Sequence, residues 1–449
     1  MKNINRRNFI GAAAAVGAGL TLRPDSIMAG NSHSFDSGKP AILGGAKAVP
    51  DMPKWPIYDN LEAKGLLDVL YSNKWGRLDG KTTAKFEEEF AKMHGVQNCV
   101  ATTCGTTALS TILGALGVGP GDEVIVPVYT FIATYNAIVM NYALPVIVDM
   151  DPHTFQIDAS KIEAAITKNT KLILPVHMGG SPADMDAILA IGKKYNIPVV
   201  EDACQAPLAE WRGKKVGTLG LAGAFSFQSS KNLTSGEGGA VISTSKQFID
   251  DCYRFHHQGW WDVKDNESSF DVKTRGSNFR ITEFQSAVLL SQMTRFIEQA
   301  KTRYDNALYL SSMLKEIPGV IPAKLYEGVT NSTYHFYMLR YEKESFQGLS
   351  RNQFIQAMSA EGVTLWSGYG NINPYITNLA KSKYFLKIYG EKEMKRWLER
   401  IKCPVNEPFA KENAVWIAQT DLLGSRKQME QIAEAARRIQ KYAKEIANK

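Results

Sequence analysis

Hydrophobic residues between positions 97 and 202 are concentrated in short runs, with amphipathic stretches between them. Five runs have the length and composition of buried strands: 97–102, 123–128, 145–150, 171–177 and 198–202. Their spacing is that of successive strand–helix–strand units, which form a mostly parallel sheet with right-handed crossovers. The pattern therefore predicts an α/β fold with a mostly parallel central sheet flanked by helices.

The pattern differs before and after this region. Residues 61–75 and 81–95 are predicted as amphipathic helices, the second capped by Thr82 or Thr83 and ended by Gly95. After about residue 290 the sequence predicts a long helix, mixed strands such as TYHFYMLRY, and a charged amphipathic helix near the end. We predict four parts: a leader at 1–30, a linker and arm at 31–60, a large domain at 61–290 and a small C-terminal α/β domain at 291–449.

The leader resembles an export signal. Arg6 and Arg7 precede Phe9 and an apolar run rich in Ala and Gly, which is typical of a twin-arginine signal, and Ile27–Ala29 offers a cleavage end. The run is too short and too rich in small residues for a stable membrane span. We expect periplasmic export, or a cytoplasmic protein if this basic and apolar start is fortuitous.

Composition narrows the class of protein further. The 449 residues are 44% hydrophobic and 22% charged, which is typical of a globular chain rather than a disordered one. The net charge of +7 is spread along the chain without a basic run, so we expect no nucleic-acid partner. Five scattered cysteines without metal-ligand spacing predict free thiols and no metal site.

A single lysine follows an apolar run near the middle of the chain. Phe225 and Phe227 flank Ser226, and Lys231 comes after three polar residues and before a glycine-rich turn and the apolar run 240–242. An amine placed between two strands can form a Schiff base with a carbonyl cofactor, and glycines let the backbone approach a ring. Taken alone, such a lysine is more often a solvated charge.

Two other strand ends carry residues suited to the same cofactor. Asp202 ends the 198–202 run, where an α/β sheet binds ligands, and a carboxylate there can pair with a protonated pyridine nitrogen. The turn after 97–102 carries Gly105 and Thr106, whose N–H groups and hydroxyl suit a phosphate at a helix start. Capping of the following turn or helix is the alternative for both places.

The segments EDACQA at 201–206 and FSFQSSKNLTSGEGGAVIS at 225–243 resemble the pyridoxal-phosphate sugar aminotransferases of the DegT–StrS type. The resemblance runs from Gly44 and Gly45 through GSNFRITEFQSA to near residue 440, with several motifs in the same order. It implies a fold-type-I pyridoxal 5'-phosphate transferase. The implied activity moves an amino group from an amino-acid donor, glutamate or glutamine, to a keto sugar or keto cyclitol.

The resemblance also implies roles for individual residues. Lys231 would carry the cofactor and then act as the general acid–base, while Asp202 would pair with the ring nitrogen. Asn278 would reach the cofactor phosphate of a neighbouring chain, which implies a homodimer with shared active sites. The remaining cofactor-binding residues would be Gly105, Thr106 and Ser226 at the phosphate, Phe131 on the ring face, and Gln205 at the ring hydroxyl. Cys104 departs from the family, which usually has Ser or Asn there.

Several alternatives remain open from the sequence. Phe131 could be a core residue and Asn278 a helix cap. His177 could contact substrate, but a single histidine at a strand end is more often structural, so we leave it out of the catalytic set. The substrate pocket could also be shaped by Trp366, Tyr369 and His335. A pyridoxal-phosphate-dependent sugar dehydratase, which would lack the lysine, and a catalytically retired binding protein are the functional alternatives. The presence of Lys231 argues against the dehydratase. The intact set of Asp202, Gln205, Ser226 and Lys231 argues against the binding protein. The carbonyl substrate stays undetermined, although export would make a nucleotide-linked sugar an awkward substrate.

Overall fold

The structure is a computed structural model that describes residues 38–259 and 275–449. The predicted export signal lies outside the described residues, as do the first residues of the predicted linker. Within the described ranges, no helix combines the length and the apolar character needed to cross a membrane.

Strands and helices alternate through the first half of the described chain and mix in the second half. The strands are β1 (Asn98–Thr102), β2 (Glu123–Pro127), β3 (Leu144–Val148), β4 (Thr170–Ile173), β5 (Val200–Asp202), β6 (Glu210–Trp211), β7 (Lys214–Lys215), β8 (Ala222–Ser226), β9 (Gly239–Ser243), β10 (Val320–Pro322), β11 (Val329–Asn331), β12 (Phe336–Tyr341), β13 (Leu365–Trp366) and β14 (Ala414–Ala418). The helices are α1 (Asn60–Ser72), α2 (Thr82–Met93), α3 (Gly105–Ala115), α4 (Ile132–Met140), α5 (Ile162–Ala165), α6 (Met185–Tyr195), α7 (Lys246–His256), α8 (Glu283–Leu314), α9 (Arg351–Ala360), α10 (Asn373–Ala380), α11 (Lys383–Arg400), α12 (Arg426–Lys441) and α13 (Ala443–Ala447).

The central sheet is assembled from two hydrogen-bonded groups of strands. One group has the order β3-β2-β4 and the other β1-β9-β8-β5. Parallel bridges from Ile173 to Val199 and from Val176 to Asp202 connect the two groups between β4 and β5. Strand β9 runs antiparallel to β1 and β8, because the segment between β8 and β9 is a loop without a crossover helix.

Each of the five predicted strands is present, and the mostly parallel α/β sheet is confirmed. Strand β4 ends earlier than predicted, at Ile173 rather than 177. Pro175 has no N–H to donate, and beyond it the pairing continues as the single bridge at Val176.

A second sheet, ordered β10-β12-β14-β13, lies in the C-terminal part of the chain. Its buried side packs against α8, α9 and α12 around residues such as Leu310, Tyr337 and Ile432. The apolar core of the central sheet also includes Trp397 and Trp416, so residues from both halves of the chain pack together. The predicted domain boundary at 290 lies inside α8 and stays a prediction.

The start of helix α2 differs from its prediction. Thr82 and Thr83 lie inside the helix, and neither caps it; the position before the helix is Lys81, which makes no side-chain cap. The N–H groups of Thr82 and Thr83 instead donate to the carboxylate of Glu283, at 2.6 and 3.0 Å. A distant acid therefore replaces the predicted local cap, which was wrong.

Candidate active site

The carboxyl ends of the central strands surround a cavity of about 530 Å³. All predicted site residues except Asn278 line it: Gly105, Thr106, Phe131, Asp202, Gln205, Ser226 and Lys231. Asn278 does not line the cavity and is exposed on the surface of this chain. Residues far apart in sequence thus meet because the strands that carry them end at the same edge of the sheet.

One end of the cavity offers hydrogen-bond donors to an anion. Helix α3 begins at Gly105 directly after β1, and the N–H groups of a first helical turn have no acceptor inside their own helix. In the described residues the Thr106 hydroxyl makes no hydrogen bond. A Cβ atom at Gly105 would lie 2.6 Å from the Ser226 Cβ and 3.0 Å from the Cys204 Sγ, so glycine keeps this helix start open.

Asp202 holds a buried carboxylate at the end of β5. Its Oδ2 accepts a hydrogen bond from the Thr134 hydroxyl at 2.9 Å, and its Oδ1 accepts one from the Cys204 N–H at 3.1 Å. The second contact is the local turn cap that the sequence offered as an alternative. A carboxylate has capacity for further donors, so the turn contact and a protonated ring nitrogen are compatible partners for Asp202.

Lys231 lies in the loop between β8 and β9, with its amine in the cavity. Burial lowers the pKa of Lys231, and the nearby Cys204 and Asp202 offset part of that effect. A lysine with a lowered pKa has a larger fraction of free amine at neutral pH, which is the form that attacks a carbonyl. The Nζ atom of Lys231 lies 3.4 Å from the Nε2 atom of His335.

Aromatic and amide groups complete the cavity wall. Gln205 is held through both ends of its amide, since Oε1 accepts from the Gly179 N–H at 2.9 Å and Nε2 donates to the Tyr369 hydroxyl at 3.0 Å. Phe131 is 51% exposed, so it is not the core residue that the sequence left as an alternative. Its ring centroid lies 5.8 Å from that of Tyr369.

His177 has a structural role, as expected. Its Nδ1 accepts from the Ala183 N–H at 3.1 Å, and its Nε2–H donates to the buried Glu201 carboxylate at 2.9 Å. Glu201 also accepts from the N–H groups of Gly217, Leu219 and Gly220.

Other cavity residues were suggested weakly or not at all by the sequence. His335 and Tyr369, named there only as possible pocket residues, line the cavity, whereas Trp366 does not. Glu237 and Phe336 also line it and were not singled out. The glycines beside Glu237 were the sequence signal for its position in the loop between β8 and β9. Phe336 lies in β12 of the C-terminal sheet, and no local pattern connected it to this cavity.

The residues present fit pyridoxal phosphate. Gly105, Thr106 and Ser226 place N–H and hydroxyl donors together, as a phosphate dianion requires. A buried carboxylate and an amine line the same cavity, which matches a pyridine nitrogen and an aldehyde. Such a combination has no evident use in a purely structural cavity.

Comparison with known proteins agrees with this chemistry. The model of the DegT/DnrJ/EryC1/StrS aminotransferase family matches residues 56–388. The chain is 34% identical over 392 residues to 3-amino-5-hydroxybenzoate synthase of Amycolatopsis mediterranei, covering 87% of this chain and 97% of that protein. It is 34% identical over 408 residues to L-glutamine:2-deoxy-scyllo-inosose aminotransferase of Streptoalloteichus tenebrarius, covering 87% and 96%.

Solved structures show the same likeness in three dimensions. The crystal structure of 3-amino-5-hydroxybenzoic acid synthase matches with a TM-score of 0.76 and 33% identity, over 87% of this chain and 99% of that one. An aminotransferase from Psychrobacter cryohalolentis matches with a TM-score of 0.73 and 28% identity, over 88% and 100%. The predicted α/β fold of a fold-type-I pyridoxal-phosphate transferase is therefore confirmed.

Proposed function

This chain belongs to the DegT/DnrJ/EryC1/StrS aminotransferase family, and from that premise we propose that it moves an amino group from glutamine or glutamate to a keto cyclitol or keto sugar, with pyridoxal 5'-phosphate as its cofactor. One observation carries the proposal: the Lys231 amine and the Asp202 carboxylate line the same cavity as the open start of α3. The relatives support the substrates, since one is named for glutamine and an inosose.

Pyridoxal phosphate, when bound, supplies an aldehyde that condenses with amines and a ring that takes up negative charge. Gly105, Thr106 and Ser226 would hold its phosphate, Phe131 its ring face and Gln205 its hydroxyl. Asp202 provides the negative charge that keeps the ring nitrogen protonated. Lys231 moves a proton at the substrate carbon through Nζ, and its lowered pKa favours the free amine needed for that task.

The first test uses the visible absorbance of the cofactor. The purified protein should show a band that bleaches with glutamine or glutamate and returns with a keto cyclitol or keto sugar, in a screen of both classes. Lys231→Ala should lose turnover at least about 10²-fold while staying folded, because it removes both the covalent anchor and the acid–base group.

Exposed Lys246, paired with Asp250 on α7, is a matched control, and Lys246→Ala should keep the band and its bleaching. Borohydride reduction of the native protein should label Lys231. Labelling of a different lysine would refute the assignment of Lys231 as the cofactor-carrying residue. A stable band that no amino donor bleaches would favour the catalytically retired binding protein.

We propose that the enzyme acts as a homodimer with shared active sites. An unusually apolar surface supports this, because many large apolar side chains on and around α1 are exposed: Ile57, Tyr58, Leu61, Leu66, Leu67, Leu70, Tyr71, Trp75 and Leu78. A second copy of the chain is the partner we assign to this surface.

We also propose periplasmic export, on the strength of the Arg6–Arg7 pair and the apolar run after it. The twin-arginine pathway carries folded proteins, which suits an enzyme that must bind its cofactor in the cytoplasm. Replacing Arg6 and Arg7 with Lys should retain the protein in the cytoplasm, whereas Arg23→Lys, outside the pair, should not. Periplasmic recovery unchanged by the double replacement would refute the proposal, as judged by cell fractionation.

A further inference from the structure

His335 is buried at the cavity wall, immediately before β12. Two features of the backbone bring it to Lys231. Tyr334 has a left-handed φ of 47°, and the loop after β4 approaches closely at Gly180, where a Cβ atom would lie only 2.7 Å from the His335 backbone N. The fold therefore places the imidazole of His335, next to the C-terminal sheet, beside the amine of Lys231 in the loop between β8 and β9.

The hydrogen bonds around His335 determine which of its nitrogens carries the proton. Asn232 donates from Nδ2 to the Thr333 carbonyl at 2.6 Å, so its Oδ1 is the atom facing His335. That Oδ1 lies 3.3 Å from the His335 Nδ1, and an amide oxygen can only accept. The proton is therefore on Nδ1, and the Nε2 lone pair faces the Lys231 Nζ, 3.4 Å away.

The surroundings also keep His335 uncharged. Burial lowers the pKa of His335 well below its usual value, and the cations of Lys231 and Arg303 lower it further. Arg303 is fully buried, and within the described residues neither of its terminal nitrogens has a hydrogen-bond partner. Asp202 and Cys204 also lie near Lys231 and raise its pKa, partly offsetting the effect of burial. Burial and the positive charge of Arg303 disfavour an imidazolium whether or not Lys231 is protonated, so Nε2 remains an acceptor.

We propose that His335 is a positioning residue for Lys231: its neutral Nε2 accepts one N–H of the amine and so directs the amine lone pair into the cavity. Asn232 acts one step further away by fixing the tautomer of His335. This inference rests on the proposed function in one respect: the proposed function makes Lys231 the reacting amine. Without this acceptor the amine would rotate freely, and its lone pair would point at the reacting carbon for a smaller fraction of the time.

The reactivity of Lys231 can be measured in the cofactor-free full-length protein. Competitive labelling with acetic anhydride across a pH series, read by mass spectrometry, reports the rate at each lysine, with exposed Lys246 as an internal reference. His335→Phe keeps a ring of similar size without an acceptor and should slow labelling of Lys231 about five- to tenfold, the size of one lost hydrogen bond. His335→Gln, which restores an acceptor, should recover part of the rate.

A second variant separates positioning from packing. Asn232→Leu frees the other tautomer, which would present an N–H to Lys231, so it should also slow labelling. In the His335→Phe background the same replacement should have no further effect, because no imidazole remains whose tautomer Asn232 could fix. His94→Phe is the control, since His94 is a buried histidine that does not line the cavity, and it should leave labelling unchanged.

Wild-type labelling of Lys231 in His335→Phe, or an equal effect of Asn232→Leu in both backgrounds, would overturn the proposal. A failure of the proposed function is distinguishable from this. It would appear as missing cofactor absorbance or missing turnover in the wild-type protein, whereas the labelling is done without cofactor or substrate.

Discussion

Glu201 and Asp202 are adjacent acids with different surroundings, and the difference begins with the alternation of a strand. Successive side chains in β5 point to opposite faces of the sheet. Asp202 faces the cavity, while the fully buried Glu201 accepts hydrogen bonds from three backbone N–H groups and from His177. The sequence predicted two carboxylates at a strand end, but the donors to Glu201 come from a separate loop that no local pattern connects to it.

Glu201→Gln should destabilise the protein while leaving the residues that line the cavity unchanged, because Glu201 is not one of them. An amide has one accepting oxygen, so its NH₂ group would face backbone N–H donors and leave at least one of them unsatisfied. An unsatisfied buried donor costs about 1–3 kcal/mol. Denaturant unfolding should detect this loss. Glu163→Gln, which breaks an exposed ion pair with Lys194, should cost at most about 1 kcal/mol. Equal stability of the two variants would contradict the structural role of Glu201.

Among the secondary-structure elements, those with strong apolar runs were predictable and those decided by distant contacts were not. Strands β1, β2 and β3 were predicted to within two residues of their bounds. For the parallel strands β2 and β3 the reason is that every residue is buried, which produces a continuous apolar run. The start of α2 was mispredicted, since Glu283 supplies the acceptor for its first N–H groups from about 200 residues away. A threonine at a helix start is a local signal, and it carries no information about an acid on another helix.

The candidate site divides in the same way. Asp202 ends a predicted strand, Gly105 lies in the turn after another, and Ser226 lies in the apolar run that precedes the lysine. The convergence of strand ends is a general property of such sheets, so their meeting could be anticipated. The contact between His335 and Lys231 could not, because it depends on how β12 of the second sheet packs against the loop at Gly180. The specific family resemblance supplied roles for the residues, which spacing alone would have left open.

At the scale of the whole molecule, the described chain leaves two features that a second copy would complete. The apolar surface around α1 is exposed, and Asn278 lies outside the cavity although its segment resembles one that reaches a neighbour's phosphate. Asn278 Oδ1 accepts from the Arg280 N–H at 3.4 Å, while its NH₂ group makes no hydrogen bond to the described residues. In the proposed dimer, a donor held in this way would be available to a phosphate in the partner's cavity.

Mixed dimers test whether the site is shared. Chains carrying Lys231→Ala are mixed with chains carrying Asn278→Ala and allowed to exchange subunits. If Asn278 serves the partner, one site of each mixed dimer carries both defects and the other carries neither. Activity should then rise above that of either parent homodimer, towards half of the wild-type value in a pure mixed dimer.

The result depends on Asn278→Ala being clearly impaired alone, which is expected because it removes one hydrogen-bond donor from a charged phosphate, a loss of about 1.5–3 kcal/mol in cofactor binding. Exchange is confirmed by mass spectrometry of intact dimers, and wild-type chains mixed with Lys231→Ala chains give the activity expected for one intact site. If Asn278 serves its own chain, every site in the mixed dimer retains one defect. Activity then never exceeds the average of the two parents, and that outcome would exclude the shared site.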